Sequence, residues 1–526
     1  MPKTSDASQS GSSRMTLQQW GVLAVTTASM MLLSIDDSIL ALAVPHMVAA
    51  LSPSATQILW IGDIYLFVIA ALLVTMGNVA DRIGRKKMLL IGSAGFAAAS
   101  TLAAFAPSAA WLIFARALQG VFGASIMPST LSILRDAFRD PIQRIRAIAI
   151  WSVGATGGGA LGPIIGGVLL EHFWWGAVFL INLPVMLIII LIGIPVLRES
   201  KGQAVNPDWI SVLASVASLF PIVVAIKHIA HDGMDLFAVG LILIGSLIGI
   251  FFIYRQRHDE HPLLDISLFK TPAFAGAVSA TAFTIFALIG LLFFFSPYLQ
   301  LVRGMSPLAS GMMLMPAAGA AIVASILSDR ILLKMGRGHA IGFGLGCLSF
   351  GLMAIILSES VPGLWVILGS MALIGFGCGL ASPLATDAVV SSAPVERSGA
   401  AAAISETAYK LGAALGIALL GSIQTWAYRR FLHLPEELPE GTVNALKDSL
   451  ALGLSQVDTS TPSGVLAAEA AREAFSYGMQ VAAGFALVLV VAGAILAWKL
   501  IPSTIGQATD LMHKDAKEAD ETGAQL

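Results

Sequence analysis

Apolar residues are gathered along this chain into long continuous runs, which short polar stretches separate. A helix rises 1.5 Å per residue, so a run of about 20 residues crosses a hydrocarbon core of roughly 30 Å. Fourteen runs reach that length, approximately at residues 20–43, 57–77, 88–106, 110–134, 147–170, 175–197, 209–227, 237–254, 272–299, 309–333, 339–358, 362–389, 399–427 and 474–500. The pattern predicts an all-α polytopic membrane protein with 14 transmembrane helices.

The polar stretches divide these runs into groups of six, two and six. The predicted segments are an N-terminal tail at 1–19, a six-helix bundle at 20–197, a linker with two additional helices at 198–271, a second six-helix bundle at 272–500 and a C-terminal tail at 501–526. A polar insertion at 428–473 precedes the last run. Its composition is compatible with a short helical hairpin or with a disordered loop.

Composition supports a membrane protein and excludes several other classes. Hydrophobic residues make up 56% of the 526 residues and charged residues only 12%, about half the roughly 25% of a soluble chain. The mean hydropathy is +0.83. A net charge of −2 predicts no nucleic-acid partner. Cys347 and Cys378 both lie within apolar runs, so neither a disulfide framework nor a metal site is predicted.

Basic residues predict the orientation of the chain, because Lys and Arg are retained on the cytoplasmic side of a membrane. With the N-terminus inside, most of the 30 Lys and Arg residues fall in cytoplasmic segments. No small-residue cleavage site follows the first run, so this run is expected to be retained as a span. An even number of spans then places both termini in the cytoplasm.

A Gly- and Arg-containing loop follows the second run. Its residues Gly77, Asp81, Arg82, Gly84 and Arg85 resemble the G-x-L-A-D-R-x-G-R-[KR] loop of the major facilitator superfamily. The resemblance implies a cytoplasmic latch between two six-helix halves. The alternative is a basic anchor that only fixes topology.

The fourth run contains a charged residue. Arg116, with Gln119 and Gly120, resembles the R-x-x-Q-G pattern of the same superfamily. An Arg within an apolar run is costly unless it faces partners or water. Arg116 is therefore expected to act either in a proton relay or as an interhelical hydrogen-bond donor.

The fifth run is rich in glycine. Gly158, Gly162, Pro163, Gly166 and Gly167 resemble the G-x-x-x-G-P-x-x-G-G signature that accompanies antiporters in this superfamily. Glycines at a spacing of four permit close helix approach, and a proline bends the helix. A helix interface without transport meaning is the alternative.

Three acidic residues within or beside the runs extend the resemblance to the whole chain. The stretch from Ile35 to Pro45, which contains Asp36, resembles a signature of the fourteen-spanner drug:proton antiporters of the QacA and SmvA type. The stretches around Asp63 and Glu406 resemble the same family. This resemblance implies proton coupling by Asp36, Glu406 and Arg116. Asp37 lies about 100° from Asp36 on a helix and is treated as secondary. A structural interhelical role is the alternative for each acid.

Substrate binding is expected to involve acids and aromatic residues together, because a lipophilic cation is held by carboxylates, by aromatic faces and by apolar burial. The predicted binding residues are Asp36, Asp63, Glu406, Trp60, Tyr65, Phe294, Tyr298 and Tyr409. One position departs from the expected E-T-x-Y-E-L-G pattern: Lys410 replaces the second acid. Its spacing of four from Glu406 predicts an ion pair between the two.

The resemblance implies a proton-coupled antiporter of the bacterial cytoplasmic membrane that exports lipophilic cations such as quaternary ammonium antiseptics and dyes. Its partners would be these small cations, protons and the lipid bilayer, and it would act as a monomer. The proton gradient would drive transport, so no cofactor is expected, and the sequence contains no G-x-x-x-x-G-K-[ST] motif. The alternative is a dedicated exporter of one natural product or metabolite.

Overall fold

A computed structural model of the protein describes residues 15–138, 140–202, 208–259, 265–358, 363–393 and 398–503. Most of the two predicted tails, at 1–19 and 501–526, therefore lies outside the described residues. The cytoplasmic placement of both termini stays a prediction.

The regular secondary structure of the described residues is helical and includes no strand. The α-helices are α1 Leu17–Leu51, α2 Ala55–Ile83, α3 Arg85–Ala104, α4 Ala109–Ala137, α5 Pro141–His172, α6 Ala177–Leu180, α7 Asn182–Val196, α8 Trp209–Asp232, α9 Leu236–His258, α10 Pro272–Pro297, α11 Pro307–Met313, α12 Met315–Met335, α13 Arg337–Leu357, α14 Leu364–Ser391, α15 Ser398–Phe431, α16 Glu440–Asp448, α17 Leu450–Gln456 and α18 Pro462–Leu500. A 3₁₀-helix lies at Ile266–Lys270 and a π-helical turn at Tyr298–Val302.

Fourteen spans in the described part of the chain are long and apolar enough to cross a membrane, which confirms the predicted fold class and span count. The pair α6 and α7 forms one span, as does the pair α11 and α12. The π-helical turn extends α10. Pro297 and Pro316 lie where regular hydrogen bonding is interrupted, since proline has no N–H to donate.

Several helices are longer than their apolar runs. The first starts at a capping box, in which the Thr16 hydroxyl accepts a hydrogen bond from the Gln19 N–H, and it continues past Pro45 to Leu51. The last begins at Pro462, before its predicted run at 474–500. Hydropathy detects the part of a helix that lies in hydrocarbon, whereas capping residues decide where the helix begins.

The helices pack as two bundles and a lateral hairpin. Helices α1 to α7 contact one another, and helices α10 to α15 with α18 form the second group. The additional helices α8 and α9 pack together, and α8 also contacts α2 of the first bundle and α15 of the second. Little of α9 is buried, so most of its surface is left for lipid.

The insertion at 428–473 is largely helical. Helices α16 and α17 occupy its middle, and α18 begins within it. The Tyr428 hydroxyl donates a 2.6 Å hydrogen bond to the Leu446 carbonyl, which holds α16 against the end of α15. We call this end of the molecule the insertion end.

The two bundles approach to backbone distance near the insertion end. A Cβ added at Gly167 of α5 would lie 2.7 Å from the Leu308 Cα of α11, and one added at Gly311 would overlap the Pro163 carbonyl. Glycine permits this approach because it carries no side chain. Helices of opposite bundles thus touch here without an intervening side-chain layer.

Three glycines of the fifth-run motif face α1 instead. Added Cβ atoms at Gly158, Gly162 and Gly166 would meet the Met31 carbonyl, the Ser38 hydroxyl and the Ile39 side chain, respectively. The neighbouring Gly159 has nothing within 4 Å of an added Cβ. These three glycines therefore make a close interface within the first bundle, whereas Pro163 and Gly167 of the motif reach the second bundle.

This contrast predicts opposite effects for two neighbouring substitutions. Gly158→Ala is expected to lower the melting temperature of the purified protein by about 1–3 °C, because overpacking costs about 1–3 kcal/mol. The matched control Gly159→Ala should leave it unchanged or raise it, since alanine favours a helix by up to about 1 kcal/mol over glycine. Equal melting temperatures for the two variants would contradict the close α1–α5 contact.

Candidate functional site

The predicted acid Asp36 and the predicted base Arg116 form a buried ion pair in the first bundle. Arg116 Nη1 lies 2.8 Å from Asp36 Oδ2, and each side chain is 1% exposed. Arg116 also donates to the Gln119 amide oxygen at 3.2 Å, and its guanidinium lies 4.4 Å from the Tyr65 ring centroid. Proximity to a ring face adds cation–π stabilisation to the charge pair.

Asn182 completes this network and was missed by the sequence analysis. Its Nδ2 donates to the second carboxylate oxygen of Asp36 at 2.6 Å and lies 3.1 Å from the Ser100 hydroxyl. Gln119 donates to the same hydroxyl at 2.8 Å. A single amide among the apolar residues of the sixth run was the available signal, because such a group requires a partner in hydrocarbon.

Asp37 joins the two bundles, and this corrects one prediction. Lys410 Nζ of α15 lies 2.7 Å from Asp37 Oδ2 of α1, so the direct ion pair of Lys410 is with Asp37 and the predicted direct pair with Glu406 is wrong. The charge of Lys410 acts on Glu406 only at longer range. The 100° offset between adjacent helical positions explains the division of the two acids. It directs Asp36 into the first bundle and Asp37 towards the second.

Glu406 lies one turn before Lys410 on α15 and is partly buried. Among the described residues, its carboxylate makes no hydrogen bond and no direct ion pair, and the charge of Lys410 acts on it from one turn away. A carboxylate within a membrane span that lacks a protein partner is costly unless it is protonated or meets water or a cation. Glu406 is thus the acid of the site whose carboxylate makes no direct polar contact within the described residues.

Asp63 and Trp60 face a partner that the sequence analysis did not identify. Lys227 Nζ of α8 lies 2.7 Å from Asp63 Oδ2 and donates to Oδ1 at 3.0 Å. The same nitrogen lies 3.4 Å from the Trp60 ring centroid, and Phe220 of α8 packs against that ring system at 5.0 Å. A lysine at the end of the seventh apolar run was the missed signal.

The remaining predicted aromatic residues do not converge on one pocket. Tyr409 lies beside Lys410, with 5.8 Å between ring centroid and Nζ. Phe294 lines a small cavity near the insertion together with Leu59. Tyr298 is fully buried and accepts a 2.6 Å hydrogen bond from Arg303 Nε. Only Tyr65, Trp60 and Tyr409 of the predicted set lie against charged residues of the membrane spans.

The predicted latch is held by Asp81 and Arg85, whose contacts lie within the first bundle and the segment that follows it. Arg85 Nε lies 2.7 Å from Asp81, and Arg85 Nη1 lies 2.6 Å from Asp136 of α4. The Asp81 carbonyl accepts a hydrogen bond from the Gly202 N–H at 3.1 Å. Gly84 adopts φ +127°, a conformation that favours glycine.

The other latch residues fit the same turn. Gly77 lies beside Pro128 of α4, with 3.5 Å between an added Cβ and that proline, and Arg82 occupies the last turn of α2. A tight turn fixed by Asp81 and Arg85 therefore connects α2 to α3, and Arg85 links this turn to α4.

The described part of the chain contains no group of three or more His, Cys, Asp or Glu that could hold a metal ion.

Comparisons with known proteins identify the family. Residues 26–417 match the model of the Major Facilitator Superfamily. The multidrug efflux pump LfrA of Mycolicibacterium smegmatis is 41% identical over 90% of this chain and 95% of its own length. The methyl viologen resistance protein SmvA of Salmonella typhimurium is 32% identical over 90% and 97%. The tetracenomycin C resistance and export protein of Streptomyces glaucescens is 33% identical over 76% and 75%.

A solved structure shows the same fold at low sequence identity. The inward-facing, unoccupied form of a bacterial homologue of the human lysosomal transporter Spinster has a TM-score of 0.66 and 18% identity, over 93% of this chain and 98% of that one. The helical architecture, the family match and the relatives agree. The chain belongs to the Major Facilitator Superfamily and is a multi-pass bacterial membrane transporter, not an enzyme.

Proposed function

We propose that this protein is a proton-coupled antiporter that exports small lipophilic cations across the bacterial cytoplasmic membrane. One observation carries the proposal: two adjacent acids of α1 have their basic partners in different bundles. Asp36 is paired within the first bundle and Asp37 with Lys410 of the second. Relatives named for multidrug efflux and for methyl viologen resistance support the export of drugs.

Proton binding changes the charge balance at both pairs. An ionised Asp37 attracts Lys410 and holds α1 against α15, whereas a protonated Asp37 loses most of that attraction. Protonation of Asp36 likewise removes the negative charge that neutralises Arg116. Proton occupancy would thus bias the equilibrium between the two arrangements of the bundles, which is the requirement for coupling in alternating access.

Glu406 supplies the contact for substrate charge. Its carboxylate makes no hydrogen bond or direct ion pair in the described residues and lies on the same helix as Tyr409, whose aromatic ring offers a face to a cation. A bound cation would replace the proton or water that otherwise satisfies Glu406. The protein would act as a monomer and would need no cofactor, since the proton gradient provides the driving force.

Ethidium transport in everted membrane vesicles tests this function. An acidic lumen should drive ethidium into the vesicles, and collapse of the pH gradient should abolish this uptake. Glu406→Gln should weaken ethidium binding about tenfold or more, because a charge-assisted contact contributes about 1.5–3 kcal/mol. Glu437→Gln changes an exposed acid of the insertion and serves as the matched control.

Two results would count against the proposal. Ethidium uptake that is insensitive to the pH gradient would reject proton coupling. Gradient-driven transport of an uncharged compound without transport of any cation in a panel would favour the second candidate, a dedicated exporter of one natural product, for which the tetracenomycin C exporter offers the precedent.

A further inference from the structure

A buried lysine on an additional helix is the feature that the proposed mechanism does not use. Lys227 is 2% exposed and Asp63 is 0% exposed, so their ion pair is shielded from both lipid and water. The lysine comes from α8, in the hairpin outside the two bundles, and the aspartate comes from α2 of the first bundle. A buried charge on a peripheral helix is costly, and a hairpin that only links two bundles does not require one.

The surroundings of the Lys227 ammonium match those of a bound organic cation. Its nitrogen is within 3.0 Å of both Asp63 carboxylate oxygens and 3.4 Å from the centre of the Trp60 ring. A carboxylate beside an aromatic face is the arrangement that binds ammonium ligands through charge and cation–π attraction. Asp63 and Trp60 thus have the arrangement of a cation site, and the Lys227 ammonium occupies it.

The position of α8 allows this occupant to move. Helix α8 contacts α2 and α15, which belong to different bundles, so it lies over their seam. Rearrangement of the bundles must change the relation of α8 to at least one of these helices. Phe220, which packs against Trp60, lies on the same helix as Lys227, so one displacement of α8 would uncover the ring and withdraw the ammonium together.

We propose that Asp63 and Trp60 form a second cation site in which Lys227 is a tethered competitor, and that a lipophilic cation occupies this site when it displaces the Lys227 ammonium. This inference rests on the proposed export of cations. It makes Lys227 a specificity-determining residue: it weakens every cation at Asp63 while leaving uncharged ligands unaffected, and it keeps the buried carboxylate neutralised between transport cycles.

Equilibrium binding of tetraphenylphosphonium to the purified full-length protein tests the competitor. Lys227→Met is expected to strengthen binding about tenfold, because the ligand no longer competes with an attached ammonium. Asp63→Asn should remove this gain, so the double variant Lys227→Met with Asp63→Asn should bind no more tightly than Asp63→Asn alone. Lys270→Met, at an exposed lysine outside the spans, is the matched control.

Unchanged or weaker binding by folded Lys227→Met would overturn the proposal and leave Lys227 as a structural partner of Asp63. A second measurement covers loss of stability in this variant. Propylammonium should raise the melting temperature of Lys227→Ala more than 1-propanol does, and it should have no such effect once Asp63 is also replaced by Asn. Equal effects of the two additives would again overturn the tethered-cation site.

The two proposals fail in different ways. Binding at equilibrium needs no proton gradient, so a gain in Lys227→Met without gradient-driven ethidium transport by the wild type would reject the antiport function and retain the cation site. Gradient-driven ethidium transport by the wild type, without a gain in binding by Lys227→Met, would retain the antiport function and reject the cation site at Asp63.

Discussion

Arg116→Met is expected to prevent the accumulation of folded protein in the membrane, and Asp36→Asn in the same chain is expected to restore it. Removal of Arg116 alone leaves the Asp36 carboxylate buried without its counter-charge, and loss of one partner of a buried pair costs about 3–5 kcal/mol. The double variant carries no uncompensated charge, and the amide that replaces the Asp36 carboxylate can still meet Asn182.

Folding and transport should separate in the double variant. Size-exclusion profiles and melting temperatures of the purified variants measure folding, and ethidium uptake by everted vesicles measures transport. The double variant should reach near wild-type abundance yet lack gradient-driven uptake, because the proposed proton carrier Asp36 is gone. Arg330→Met, at an exposed arginine, controls for loss of a positive charge. Normal abundance and uptake in Arg116→Met would exclude a required Asp36–Arg116 pair.

Lys410→Met is expected to shift the protein away from the arrangement in which α1 and α15 are joined. The Lys410–Asp37 pair connects the bundles at 2.7 Å, so its loss removes an attraction that favours this arrangement. A change on the order of tenfold in the ratio of the two states corresponds to the usual range of coupling energies, about 1–3 kcal/mol. Asp37→Asn removes the same ion pair from the other side and should shift the ratio in the same direction.

Spin labels can report this shift. Labels at Phe173, near the end of α5, and Leu466, near the start of α18, mark exposed sites of opposite bundles near the insertion end. The distances between them should lengthen in Lys410→Met and in Asp37→Asn once Cys347 and Cys378 are replaced by alanine. Glu406→Gln, which breaks no ion pair, should retain the wild-type distances. Wild-type distances in both pair-breaking variants would show that the Asp37–Lys410 contact does not hold the bundles together.

The spans were predictable from the sequence because lipid imposes a strong condition on every helix. A run of about 20 apolar residues has few alternatives to crossing the bilayer as a helix, which explains the agreement in number. Helix ends were less predictable, as Leu51 and Pro462 illustrate, because capping and packing outside the hydrocarbon determine them.

The charged residues within apolar runs were recognisable in the sequence, but their partners were not. Asp36, Asp63 and Arg116 stand out because a charge in an apolar run needs compensation. The partners lie far along the chain: 80 residues separate Arg116 from Asp36 and 373 separate Lys410 from Asp37. Helix periodicity suggested Glu406 for Lys410 because it considers only neighbours on one helix. Tertiary packing instead offered a carboxylate of the opposite bundle.

The glycine contacts between the bundles have a consequence for the speed of conformational exchange. Where Gly167 meets Leu308 and Gly311 meets Pro163, the backbones of the two bundles approach each other directly. We expect rotation of one bundle against the other at this point to need less side-chain rearrangement than an interdigitated contact would need. This contact therefore adds little to the activation barrier for exchange, and we expect rupture of the Asp37–Lys410 ion pair to contribute more. Under the proposed antiport, protonation of that one carboxylate would change the rate of exchange as well as its equilibrium.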